Sequence, residues 1–319
     1  MSSLRLVLFS ALLFLLLAAS EVLAIHWTTH HHFTYALDDA YIHLALSEQI
    51  AHGHYGINLQ EASSPSSSIV WPFLLAPLAG TRLHVFLPLA WTLLFGTLSA
   101  MLLGHLVFRW MQNIATPFRS RQMMMISGLL IFCSNLVGLA LLGMEHSLQV
   151  LLALAVAYGV GETAFGRRMP WWTLAAAILA PSVRYECLSL TLAVCLVLLL
   201  VEKRPWSVSA LVAALAVLPL LLFAAFLHHL GLPGLPESAL VKGQAAGGAH
   251  LSLLSTIGHN LSLFWKEPLW RLCPLLLFLL FAIFLLRERA GTSAHPAGDC
   301  AAGGAPAGHA RPFRLVPSV

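Results

Sequence analysis

Aspartate is scarce in this chain: there are three in 319 residues, Asp38, Asp39 and Asp299, and two of them are adjacent. Charged residues of both signs make up only 9%, where a soluble domain carries roughly a quarter. That shortage excludes an ordinary soluble fold. The chain has no Gly-rich phosphate loop, no G-x-S-x-G and no H-E-x-x-H, so soluble nucleotide-sugar chemistry has no visible home in it. The five cysteines (Cys133, Cys187, Cys195, Cys273 and Cys300) have no C-x-x-C spacing and lie mostly inside apolar runs. Neither a disulfide framework nor a cysteine metal site is expected from them.

What is abundant is hydrophobic residues, at 59%, with a mean hydropathy of +0.82 and a pI near 9.0. These values point to an integral membrane protein. The net charge of +4 comes from basic residues in short clusters between apolar runs. They read as topology signals, and nucleic acid is not an expected partner.

Apolar segments of spanning length or near it cover roughly 4–24, 84–108, 122–142, 146–161, 170–184, 186–201, 206–229 and 270–286. The first could also be a cleaved signal peptide, but the many spans that follow favour an uncleaved helix. The expected fold class is therefore all-α integral membrane, with about eight transmembrane helices. Twelve of the seventeen basic residues fall on one side of this scheme: Arg5; Arg109, Arg119 and Arg121; Arg167 and Arg168; Lys203 and Arg204; Arg287, Arg289, Arg311 and Arg314. By the positive-inside rule that side, with both termini, is cytoplasmic, and the loops 25–83 and 230–269 lie outside. The segment 69–80, with two prolines, is too short to span and reads as interfacial or re-entrant. Residues 1–289 form the expected transmembrane domain, and 290–319 an Ala/Gly/Pro-rich tail that should be disordered on the cytoplasmic side.

Nine of the thirteen acids (Glu21, Asp38, Asp39, Glu48, Glu61, Glu145, Glu186, Glu237 and Glu267) fall at or beyond the outer ends of the spans. The first outer loop holds LDDAYIHLALSEQIAHG, where Ile42, Ala45, Leu46 and Ile50 recur at helical spacing and His43, Ser47 and Glu48 lie mostly elsewhere. This predicts an amphipathic juxtamembrane helix that begins at the aspartates and stops at Gly53. One aspartate is explained as an N-cap. The second leaves open a base beside a group that binds a cation or orients a substrate. Downstream, SPSSSIVWPFLLAP reads as a loop entering a short helix, and Glu145 in GMEHSL as a solvated turn acid or a helix-start acid. Arg184 and Glu186 in SVRYECL read either as a mutual pair closing a turn or as an arginine poised for phosphate. Lys242 closes a Pro/Gly-shaped outer loop. The His-rich IHWTTHHHF, residues 25–33, has a zinc-tract composition, but no carboxylate pairing completes a site.

The order of DDAYI (38–42), HGHYGIN (52–58), SPSSSIVWPFLLAP (64–77), GMEHSL (143–148), RYE (184–186) and LPESALVKG (235–243) resembles the GT-C superfamily of multi-span bacterial glycosyltransferases. The nearest likeness is to the branch of mycobacterial terminal arabinofuranosyltransferases. It covers about residues 35–245, and DDAYI is its most specific element. Tyr185 stands where that family favours proline, and Glu237, before Ser238, where asparagine is usual. The serine segment lacks the usual glycine and threonine, and the family continues with further spans. The resemblance implies a sugar donor on a polyprenyl phosphate, a glycan or glycolipid acceptor, and an active face on the periplasmic side of a bacterial inner membrane. It implies Asp38 or Asp39 as catalytic base in an inverting transfer, with a divalent cation (Mg, Mn or Ca) possible there. Arg184 and Lys242 would hold the donor phosphate, supported by Tyr41, His54, Asn58, Glu145 and Glu186. The alternatives are a transporter or flippase for a lipid-linked or anionic solute, and a truncated, non-catalytic remnant.

Overall fold

A computed structural model describes residues 2–113, 120–234 and 236. Among these residues the chain is all-helical, with one isolated bridge between Asn58 and Glu61 and no strand. The helices are α1 (Ser3–Thr28), α2 (Asp39–Ala51), α3 (Val70–Leu75), α4 (Leu87–Met111), α5 (Ser120–Cys133), α6 (Leu136–Leu141), α7 (His146–Ala164), α8 (Trp171–Val183), α9 (Leu188–Leu200) and α10 (Trp206–His229). Short 3-10 turns at Ala76–Leu78, His84–Phe86 and Tyr185–Cys187 continue α3 and lead into α4 and α9.

Among the described residues four segments are long and apolar enough to cross a membrane: Ser3–Thr28, His84–Met111, His146–Ala164 and Trp206–His229. Their outward surfaces carry exposed leucines such as Leu12, Leu16, Leu94, Leu221 and Leu222, the surface a hydrocarbon environment accommodates. The chain is a membrane-embedded helical protein. The stretches expected to span at 122–142, 170–184 and 186–201 form shorter apolar helices, Ser120–Cys133, Trp171–Val183 and Tyr185–Leu200. At 13 to 16 residues they rise about 20–24 Å, short of the roughly 30 Å hydrocarbon core. The first of the three is interrupted because Asn135 adopts a left-handed conformation, which divides it into α5 and α6. Asparagine tolerates that conformation better than most residues. The expected span at 270–286, most of the loop 230–269 and the tail lie outside the described residues.

Small residues set the closest helix contact. Gly96, Ala100 and Gly104 recur every four residues along the buried stripe of α4 and receive α1. A Cβ on Gly96 would lie 2.4 Å from the Phe14 ring, and one on Gly104 would lie 2.5 Å from Ser10 Oγ. This is the small-x-x-x-small arrangement by which membrane helices approach closely. Ser10 then bonds Ser127 of α5 at 2.7 Å.

In the other half, Ala176 and Ala177 of α8 lie in a buried cluster with Val156 of α7, Val194 and Leu198 of α9 and Val212 of α10. Pro181 sits inside α8 and has no N–H to give to the carbonyl of Ala177. Thr191 Oγ1 of α9 donates to that carbonyl at 2.6 Å instead, so the freed acceptor is satisfied inside the bundle.

Overfilling the α1–α4 seam is the direct check on this packing. Gly104→Leu should lose about 1–3 kcal/mol and lower the unfolding temperature in detergent by several degrees. An unchanged transition would show that α1 does not pack there.

Candidate functional site

The segments at the Glu145 end of α7 converge on a buried cluster of charges. Glu145 occupies the position just before α7, and its side chain is fully buried. The preceding Gly143 has φ +68°, and a Cβ there would lie 2.5 Å from the Tyr35 ring, so the turn needs glycine both for its backbone and for Tyr35. Tyr35 is itself fixed: its hydroxyl donates to Val85 O at 2.7 Å and accepts from Leu89 N at 3.1 Å.

Three segments reach the Glu145 carboxylate. Arg184 Nη1, from the turn after α8, donates to Oε1 at 3.1 Å. Ser67, from the SPSSS stretch, donates its hydroxyl to the same oxygen at 3.0 Å. His43 of α2 brings Nε2 to 3.4 Å from Oε2, a close polar contact that makes no hydrogen bond. The neighbours of Ser67 do local work: Ser68 Oγ accepts from Trp71 N at 3.2 Å at the start of α3, and Ser66 Oγ donates to Ser68 O at 2.7 Å. Ile69 N donates to Ser182 O at 3.2 Å and ties that start to the last turn of α8.

Arg184 also grips Glu186 through Nε at 3.3 Å and Nη2 at 3.0 Å. The Arg184–Glu186 pair closing a turn is therefore present, and the same guanidinium bridges to Glu145. Burial tends to lower the Arg184 pKa, but Glu186 and Glu145 together hold it above the ordinary arginine range. Burial alone would raise the Glu145 carboxyl; the proximity and charge of His43, with its own backbone amide and His146, bring it down to about 2.

Helix α2 is more buried than a surface helix. Ala40, His43, Leu44, Leu46 and Ser47 are buried, while Ile42, Ala45 and Ile50 are only half-buried. The polar pair goes inward because each finds a partner, His43 at Glu145 and Ser47 at His84 Nε2, 2.9 Å away. Ala40 and Leu44 pack with Tyr35, Trp71 and Leu75, and Leu46 with Tyr55, Phe223 and Leu227. Gly53, φ +80°, follows the C-cap His52, the expected end of the helix.

Asp38 is exposed and Asp39 half-buried; among the described residues neither carboxylate has a hydrogen-bond partner, and no side chain caps α2. The cap position is occupied without the cap bond. Asp39 and His43 are four residues apart and share a face of α2. Tyr41 is turned back, its hydroxyl accepting from Tyr35 N at 3.1 Å. His54 closes its own loop through Nε2, 2.8 Å from Asn58 O, and makes no contact with Glu145. Lys242 lies outside the described residues. Glu145, Arg184 and Glu186 are thus gathered, whereas Asp38, Asp39, His54 and Asn58 have no bond to them. The residue that sequence reasoning left on the polar face is His43; its i, i+4 spacing from Asp39 was the available signal.

Among the described residues no group of three or more His, Cys, Asp or Glu side chains is placed to hold a metal ion. In the His-rich stretch His26 and His31 meet ring to ring, with ring nitrogens 2.9 Å apart. No family profile, curated protein or solved structure matches this chain.

The pH dependence follows from Glu145. A carboxyl whose pKa falls from 4.5 to about 2 on folding adds stability that is complete above its unfolded pKa and lost as pH falls through the folded one. The amount is about 3 kcal/mol. Wild-type protein should therefore soften steeply between pH 4.5 and about 2, and Glu145→Gln, already weaker at neutral pH, should soften less over that window. Equal slopes in thermal unfolding series would remove Glu145 from this role.

Proposed function

We propose that the chain is a GT-C-like glycosyltransferase of a bacterial inner membrane, which moves a sugar from a polyprenyl-phosphate donor to a hydroxyl of a cell-envelope glycan or glycolipid. The observation that carries the reading is the convergence at Glu145. Three of the motifs behind the resemblance, spread over about 120 residues of sequence, meet there through Ser67, Glu145 and Arg184, and His43, the residue directly after DDAYI, joins them. Motifs of no common purpose have no reason to share one buried carboxylate.

In this reading the acceptor hydroxyl gives its proton to an aspartate at the start of α2, and its oxygen attacks the anomeric carbon from the face opposite the phosphate. The bond between anomeric carbon and phosphate oxygen breaks with inversion, and polyprenyl phosphate leaves with the electron pair. Asp39 suits the base better than Asp38, since it lies on the His43 face and is half-buried. Arg184 stabilises the leaving phosphate from the side where its fork is shared with Glu186, while Glu145 keeps it in place. Lys242 is the second cation. A divalent cation at the aspartates would take its remaining ligands from donor phosphate and water, and no step above runs through it.

The location of charge favours transfer over transport. A transporter places its charged groups near mid-bilayer on broken helices. Among the described residues the ion pairs sit near the two ends of the long helices, with Arg184, Glu145 and Glu186, beside His43 of α2, at one end and Arg109, Arg167, Glu162, Arg204 and Glu202 at the other. The positive-inside bias assigns the first end to the periplasmic face.

The test is transfer in membranes supplied with a panel of polyprenyl-phosphate sugars. Asp39→Asn should reduce turnover by about 10²–10⁴-fold, and Asp38→Asn by less. Turnover that is present and indifferent to both changes would take the aspartates out of the mechanism.

A further inference from the structure

The end of α7 away from Glu145 carries a second polar site that glycosyl transfer does not use. A cavity of about 410 Å³ lies between the α7–α8 and α9–α10 connections, lined by Thr163, Arg167, Arg168, Val201, Glu202 and Arg204. Three guanidinium groups against one carboxylate make it basic, and the carboxylate is already engaged. Glu202 accepts from Arg204 Nε at 2.9 Å and from the backbone amide of Met169.

Arg167 is likewise occupied, by Glu162 at 3.0 Å and Asn113 at 3.2 Å. Arg168 is exposed and makes no ion pair or hydrogen bond with another described residue, and Arg204 has only its Nε committed. Uncommitted guanidinium N–H groups facing one cavity are a ready fork for phosphate oxygens.

The surroundings identify where that phosphate comes from. The two connections have parallel sequences, Arg167-Arg168-Met169-Pro170-Trp171 and Lys203-Arg204-Pro205-Trp206. Each proline stands at a helix N-cap, Pro170 at φ −65°, ψ 147° and Pro205 at φ −52°, ψ 139°, and each tryptophan opens that helix, 78% and 76% exposed. Indoles held outward at the helix ends beside basic residues mark the headgroup level of a bilayer. The nineteen residues of α7 put this level about 28 Å from Glu145, close to the hydrocarbon thickness.

We propose that this cavity binds the phosphate of an anionic phospholipid, with the acyl chains running down the apolar surfaces of α8 and α10 below Trp171 and Trp206. The site is independent of the activity proposed above, and either can fail without the other.

The test is native mass spectrometry of the full-length protein in detergent with equimolar phosphatidylglycerol and phosphatidylcholine of matched acyl chains. Wild type should retain phosphatidylglycerol selectively. Arg168→Gln should weaken that retention about fivefold and Arg168→Gln with Arg204→Gln roughly twenty-five-fold, while Arg82→Gln, on an exposed residue elsewhere, leaves it unchanged. Arg168 is exposed, so the single variant remains informative if the double one folds poorly. Equal retention of both lipids by wild type, or wild-type retention by Arg168→Gln, would overturn the proposal. So would binding of inorganic phosphate as tight as that of the lipid, which would assign the cavity to a soluble anion.

Discussion

A single buried carboxylate organises one end of this molecule. Glu145 is removed from solvent, and a buried charge is tolerable only where partners replace its water. Arg184, Ser67 and His43 supply those partners from three separate segments. Satisfying one charge therefore docks the turn after α8, the serine loop and α2 against the start of α7. The arrangement is asymmetric. Breaking a buried pair by removing one partner costs about 3–5 kcal/mol, because the other is stranded. The bundle beneath supplies the rigidity: small residues let α1 close on α4, and an alanine-rich α8 packs with α7, α9 and α10.

This dependence gives the adjacent aspartates their setting. A thirteen-residue helix is marginal on its own in water, and α2 is held through His43, Ser47, Leu44 and Leu46. The aspartates then stand at a fixed helix start with their carboxylates without a hydrogen-bond partner among the described residues. That is an unusual state for a structural cap, which would bond its own helix amides, and it is the feature on which the proposal of a base at this position rests. At the far end of α7, Glu162 and Glu202 neutralise some of the arginines and leave Arg168 open. Both polar ends of the bundle thus combine ion pairs with side chains that, among the described residues, have no partner.

Much of the fold was legible in apolar segment length, since a hydrocarbon solvent forces helices and hydropathy reports them directly. Among the described residues four segments have spanning length, and the stretch between α1 and α4 has its helix starting at Asp39 and ending before Gly53. The shortening at 122–142 was not legible, because Asn135 is compatible with a helix interior until its backbone is seen to be left-handed. At the site, the motif positions of Glu145, Arg184 and Glu186 were readable, but their union was not. Periodicity assigns His43 and Ser47 to water; only the tertiary structure supplies the Glu145 and His84 that bring them inside. The hydroxyl turned toward Glu145 could not be told from its neighbours either, since the stretch is a run of serines and among them only Ser67 reaches the carboxylate.

The most direct test of Glu145 as the organising charge is amide hydrogen exchange of the full-length protein in detergent, comparing wild type with Glu145→Ala. Loss of the carboxylate should release α2, so amides of residues 40–51 should exchange at least tenfold faster while those of α4 keep their protection. Unchanged protection of α2 in a folded Glu145→Ala protein would contradict the claim that this carboxylate holds the aspartate helix in place.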